Sequence, residues 1–127
     1  MQVLTGGEIH LSEYKGKVIY ISFWASWCGP CIGNFEKYKE IRNALEDEGV
    51  ILLNVSIDEV EEKWRTMVEK LDLNGINVIA AKEDLYPDYQ ILSIPLYEIV
   101  GRDGNFRYLS DEAGRDIIGQ FRKWLAE

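Results

Sequence analysis

Both cysteines of the chain fall in one short stretch, Phe23-Trp24-Ala25-Ser26-Trp27-Cys28-Gly29-Pro30-Cys31. An apolar run, Val18 to Trp24, leads into it, and an apolar pattern of helical period leaves it. The patterns predict a buried strand, a tight exit and then a helix, with two thiols where the helix begins. A Cys-x-x-Cys beside a βαβ pattern is the sequence sign of a redox dithiol.

The chemistry follows from the placement. A thiolate attacks disulfides and a thiol does not, and a free cysteine, with a pKa of about 8.5, is mostly protonated at neutral pH. At a helix start, unsatisfied backbone N–H groups and the positive dipole end face the Cys28 sulfur and lower that value. Cys31 lies one turn further along and is predicted to be more enclosed. Attack by Cys28 gives a mixed disulfide with the substrate, which Cys31 then resolves. Pro30 suits a first helical turn, where its missing N–H costs nothing. Gly29 is expected to permit the turn and to leave room for a substrate.

In chain order, Glu8 to Leu11 is expected as a short strand after a Gly6-Gly7 turn, and Tyr14 to Lys17 as a turn. Val18 to Trp24 is apolar except at Ser22, so it reads as a central strand buried on both faces. The following helix carries Phe35, Tyr38, Ile41 and Leu45 on one face, with Glu36, Lys37, Lys39 and Glu40 outward and Gly49 closing it. Val50 to Ile57 is a second apolar strand, which completes a right-handed βαβ unit. Asp58 is read as a helix cap with Glu61 as its capping-box partner. That helix carries Val60, Trp64, Met67, Val68 and Leu71 as a core stripe and is expected to end at Gly75. Asn77 to Ala81 reads as a third strand, and Lys82 to Leu92 as a short helix or turn pair around Pro87. Leu96–Val100 and Phe106–Leu109 flank an Asp103-Gly104 turn, the signal of an antiparallel hairpin. Ile117, Ile118, Phe121, Trp124 and Leu125 mark a C-terminal amphipathic helix.

A length of 127 residues, 46% of them hydrophobic, suits one α/β domain with a real core. The net charge of −8 argues against nucleic acid and anionic membrane surfaces as partners. No apolar run approaches the ~20 residues of a membrane span, and no secretory signal is present. The opening Met1-Gln2-Val3-Leu4-Thr5-Gly6-Gly7 reads as the middle of a domain, so a piece excised from a longer precursor is expected.

Trp27-Cys28-Gly29-Pro30-Cys31 resembles the thioredoxin active site letter for letter. The wider stretch from Leu11 to Cys31 is similar to the TlpA/ResA branch of thioredoxin-like proteins, which are bacterial extracytoplasmic thiol-disulfide oxidoreductases. The resemblance implies a thioredoxin fold, with a mixed central β-sheet (βαβ, then ββα) flanked by helices on both faces. It also implies that Pro95 follows a cis peptide bond beside the dithiol, and that the backbone of Ile94 holds an extended substrate strand. Trp27 is implied to be partly exposed beside the nucleophile. Three positions depart from the family. Ser22 stands where thioredoxin has a buried Asp, Asn34 where the ResA-like branch has a Glu, and Glu36 where a helix-kinking Pro is found. Ser22 and Asn34 leave the proton acceptor for Cys31 unassigned, and Glu36 reads as a solvated helix charge.

The predicted function is thiol-disulfide exchange with protein partners, most simply as a disulfide reductase. Cys28 is nucleophile, Cys31 resolves, and Trp27, Gly29, Pro30, Ile94 and Pro95 meet the substrate. The dithiol is itself the redox centre, so no cofactor is expected, and electrons come from another thiol protein. The domain is expected to act as a monomer in an extracytoplasmic, periplasmic setting. A redox-silent interaction or sensory domain on the same fold is the alternative, and slow thiol alkylation with ordinary pH dependence would mark it. A zinc site wants four ligands, whereas one Cys-x-x-Cys supplies two and the lone His10 is distant and read as a surface residue. A peroxidase site resembling Thr-x-x-Cys is disfavoured because residue 28 is Cys.

Overall fold

The apolar run ahead of the cysteines becomes the strand on which the sheet is centred. The computed structural model describes residues 2–4, 6–80, 93–108 and 116–127. Its strands are β1 (Gln2–Val3), β2 (Ile19–Trp24), β3 (Ile51–Ser56), β4 (Ile76–Ile79), β5 (Leu96–Val100) and β6 (Phe106–Arg107). Helices are α1 (Gly29–Lys37), α2 (Lys39–Asp47), α3 (Glu61–Leu71) and α4 (Ile117–Leu125). The six strands form one mixed sheet in the order β1-β4-β3-β2-β5-β6. β2 pairs parallel to β3, and β3 to β4, while β5 runs antiparallel to β2 and β6 to β5.

The alternation along each strand divides the core between the two faces of the sheet. Ile19, Ile21 and Phe23 of β2 pack with Leu53, Val55 and Val78 on one face, against Ile9, Leu11 and Tyr14. The last two lie in a 3-10 turn, Leu11–Tyr14. On the other face Leu45, Phe121 and Trp124 cover Val18, Leu52 and Ile99. Beside them Trp24, Cys28, Cys31 and Phe35 pack with Trp64 and Val68 of α3.

Five details differ from expectation. Residues 8–11 keep only a single bridge at Glu8, because the chain turns into the 3-10 segment, where Glu13 accepts the His10 N–H at 2.7 Å. Pairing at that end of the sheet is made instead by β1, antiparallel to β4. The helix after Cys31 is broken in two at Tyr38 (φ −103°, ψ 16°), with no proline involved. Asp58 caps no helix. It is buried and satisfied elsewhere, and Val60 becomes the N-cap of α3. That helix ends at Asp72, in the left-handed region at φ 49°, rather than at Gly75. The segment expected as a short helix at Lys82–Leu92, and the strand end at Leu109, lie outside the described residues. No helix among the described residues is long and apolar enough to cross a membrane.

Candidate active site

Strand β2 ends at Trp24, fully buried, and the chain leaves the sheet through Ala25 and Ser26. The exit is pinned by Asp58. Its carboxylate accepts the Ser26 N–H at 3.0 and 3.2 Å, the Ser26 hydroxyl at 2.7 Å and the Ser56 hydroxyl at 2.6 Å. Ser56 Oγ in turn accepts the Asp58 N–H at 2.9 Å. Asp58 is the one buried carboxylate among the described residues. Its bonds to Ser26 fix the loop two residues ahead of Cys28, and those with Ser56 tie that loop to the end of β3. A charged acceptor with several hydrogen bonds is the usual condition for burying a carboxylate.

Cys28 is the N-cap of α1, and its sulfur accepts the Cys31 N–H at 3.2 Å. One orphan donor of the helix start therefore points at the sulfur. The two cysteines are joined as a disulfide with Cα atoms 5.3 Å apart, so the structure is the oxidised form. Both cysteines are buried, Cys31 at 1% and Cys28 at 5% exposed, so Cys28 is the slightly less enclosed residue. Gly29 and Pro30 follow as the first two helical residues, both exposed. Gly29 is not in the left-handed region, and a Cβ there would meet nothing within 4 Å. Its use is the open space beside the sulfur, and the turn does not require it. Trp27 is 67% exposed, against 0%, 0% and 7% for Trp24, Trp64 and Trp124.

Ile94 packs on the cluster that holds both cysteines, and the Ile94–Pro95 peptide is cis. The site thus brings Cys28, Cys31 and Ile94 into one cluster, with Trp27, Gly29 and Pro30 on its open side. His10 is exposed in the N-terminal segment, and Glu36 is exposed on α1.

Between β2, β3 and α2 lies a polar group that single-residue patterns did not reveal. Arg42 is 3% exposed; Nη1 donates to Ser22 Oγ at 3.4 Å, and Nη2 to Asn54 Oδ1 at 2.9 Å and Asn74 O at 3.2 Å. Asn54 donates in turn to Asn74 O and Asn77 Oδ1. Asn34 is turned to Tyr97, donating to its hydroxyl at 2.8 Å. Burial pushes the Tyr20 phenol up to about 12 and raises Tyr97 as well, so both are neutral at physiological pH. The legible signal was collective. Ser22 and Asn54 each interrupt an apolar strand, and Arg42 falls between Phe35, Tyr38 and Leu45 at helical spacing.

Residues 1–124 match the AhpC/TSA family. The chain belongs to the AhpC/TSA family. Within it, the chain is 26% identical over 122 residues to the thiol-disulfide oxidoreductase ResA of Bacillus thuringiensis subsp. konkukian, covering 96% of this chain and 69% of that one. The thioredoxin-like protein YneN of Bacillus subtilis is 26% identical over 106 residues, with 82% and 62% covered. The thioredoxin domain of a thiol-disulfide oxidoreductase from Bacteroides vulgatus superposes with a TM-score of 0.81 at 25% identity, over 98% and 90% of the two chains. A thiol:disulfide interchange protein from a Bacteroides species gives 0.79 at 25% identity, over 99% and 84%. This AhpC/TSA-family protein is therefore a TlpA/ResA-like thiol-disulfide oxidoreductase with a thioredoxin fold and a Cys28–Cys31 redox pair. Among its described residues, no group of three or more His, Cys, Asp or Glu side chains could hold a metal ion.

Proposed function

We propose that the domain reduces disulfides in partner proteins, with Cys28 as the attacking thiolate and Cys31 as the resolving thiol. The observation that carries the assignment is the Cys28 sulfur at the N-cap of α1, accepting the Cys31 N–H, in the less enclosed of the two cysteine residues. In the reduced protein the Cys28 thiolate attacks one sulfur of a substrate disulfide and expels the other as a thiolate. The Cys31 thiolate then attacks Cys28, closing the Cys28–Cys31 disulfide and releasing the second substrate sulfur. Two electrons pass to the substrate, and two protons taken up from solvent leave it as a dithiol. A second thiol protein returns the pair to its reduced state, and the dithiol needs no further cofactor.

Trp27, Gly29 and Pro30 form the uncharged surface that meets the substrate. Ile94 and the cis Pro95 hold its extended chain, a role supported by the packing of Ile94 on the cysteine cluster. The kinship with ResA supports an extracytoplasmic setting and a protein substrate. The acidic charge of the chain disfavours nucleic acid, and one domain acting alone suffices for the chemistry.

The test is a titration against dithiothreitol or glutathione buffers, read by trapping free thiols, together with Cys31→Ser. A single two-electron transition at low potential is expected, and Cys31→Ser should accumulate mixed disulfides through Cys28. A high potential would convert the reading to an oxidase or isomerase. Absence of any reversible Cys28–Cys31 couple would leave the redox-silent domain as the function.

A further inference from the structure

We infer that Arg42 is a buried counter-charge for the redox pair, holding the reduced site in its thiolate form from behind α1. The inference rests on the dithiol reading above and adds a residue outside the Cys-x-x-Cys motif.

Arg42 is buried, and among the described residues its guanidinium has no carboxylate within ion-pair distance. Its hydrogen-bond partners, Ser22, Asn54 and the Asn74 carbonyl, are all neutral. The nearby phenols of Tyr20 and Tyr97 keep their protons. Glu46, on the next turn of α2, is exposed and screened by water. Among the described residues the guanidinium thus feels one exposed carboxylate, Glu46, and has none in ion-pair contact, and burying a cation this way is costly.

The link from Arg42 to the dithiol runs through Phe35. Helical side chains lean towards the helix N-terminus, so Arg42 reaches back over Phe35, with the guanidinium 4.9 Å from the ring centre. Phe35 follows Cys31 by one helical turn, meets Trp24 edge-on at 5.4 Å, and shares one buried cluster with Cys28 and Cys31. Packed side chains thus connect the two: the guanidinium lies on Phe35, and Phe35 belongs to the cluster that holds both cysteines. A cation near a thiol favours its ionised form.

Among the described residues, the charges that face the pair from other elements are few. Asp58, between β3 and α3, opposes the effect, but its carboxylate is taken up by the hydrogen bonds from Ser26 and Ser56. From α3 the buried contacts are Trp64 and Val68, and from the Ile94 segment they are apolar. Glu36 and Lys37 on α1 are exposed. Among the described residues Asp58 and Arg42 are the two buried charged side chains, each hydrogen-bonded only to neutral groups, and the inference is that the Arg42 charge, relayed through Phe35, outweighs Asp58 at the pair.

The test compares Arg42→Met, Arg42→Lys and Ser22→Asp in the full chain. Ser22→Asp keeps the arginine and sets a carboxylate beside Nη1, neutralising it in place. Two readouts are used: the pH profile of iodoacetamide alkylation of the reduced protein, and the exchange equilibrium with glutathione at about pH 9, where the thiolate dominates. Arg42→Met should move the alkylation midpoint upward and slow alkylation about tenfold at about pH 6, one pKa unit being a factor of ten. At the higher pH its equilibrium should shift about five- to tenfold towards the disulfide, because the reduced form loses its stabilised thiolate. Ser22→Asp should do the same, and Arg42→Lys should stay within about twofold of the parent. Folded Arg42→Met and Ser22→Asp proteins with the parent's profile and equilibrium would overturn the inference. Should Arg42→Met fail to fold, Arg42→Gln, which removes the charge and keeps an amide donor, decides in its place. A parent protein without a reversible couple would sink the dithiol reading itself, and the inference with it.

Discussion

Asp58 turns a loop into a fixture, and its removal tests how much of the site depends on that. Asp58→Ala would leave the Ser26 N–H and two hydroxyls without their buried acceptor. The expected loss is about 2–4 kcal/mol, read as a lower urea midpoint at unchanged slope. A midpoint equal to the parent's would refute this role. Sequence pattern misassigned the residue because Asp-x-x-Glu before an apolar stripe is also how capping boxes look. Two serines from separate strand ends, 32 and 2 residues away, outbid the helix for the carboxylate, and only the folded chain brings them together. Glu98 is the opposite case. Its Oε2 is buried without a partner among the described residues, and burial raises its pKa. The folded state then holds a proton that the unfolded chain has released, so stability falls as pH rises from the ordinary carboxylate value through the raised one. Glu98→Gln should raise the melting temperature at neutral pH and leave it unchanged at about pH 3.5, below both values. Equal shifts at both pH values would show that the charge is not the cause.

The central strands and the hairpin were readable because burial on two faces and an Asp-Gly turn each leave an unambiguous pattern, whereas the N-terminal strand, two residues long, left none. The break at Tyr38 was not, since Phe35, Tyr38, Ile41 and Leu45 keep a single helical period across it. The end of α3 was misplaced for a related reason: Asp72 takes the left-handed position that a glycine would ordinarily occupy. Gly75 has a different task, admitting the chain to β4 at φ +96°, where an added Cβ would lie 2.6 Å from the Leu52 carbonyl oxygen. Gly49 has a similar φ of +101° with nothing within 4 Å. Gly49→Ala should therefore cost about 1–2 kcal/mol from backbone strain alone, and Gly75→Ala clearly more. Thermal unfolding of the pair separates strain from close approach, and equal costs would deny the contact with Leu52 any weight. The C-terminal helix docks through Phe121 and Trp124, which meet edge-on at 5.1 Å. Phe121→Ala is expected to lose about 3–5 kcal/mol by denaturant unfolding.

Across the whole molecule, a net charge of −8 and a pI near 4.7 make self-repulsion a general load on the fold. Raising sodium chloride from about 10 to 200 mM should increase the melting temperature by a few degrees through screening. A flat response would mean that local ion pairs already offset the repulsion. The overall architecture was open to inference from the sequence because Cys28–Cys31, its leading strand and Ile94-Pro95 carry a specific resemblance. The polar layer of Ser22, Arg42 and Asn54 was hidden because it is assembled across elements. The exposure of Trp27 has an optical consequence. Three of the four indoles are sealed in the core and one stands in solvent beside the reactive sulfur. Iodide in solution should quench that one emitter and leave the other three bright, so the chain carries a built-in lamp at the face proposed to meet the substrate. A partner settling on the site would shade it, and the recovered fluorescence would count docking events without any label attached.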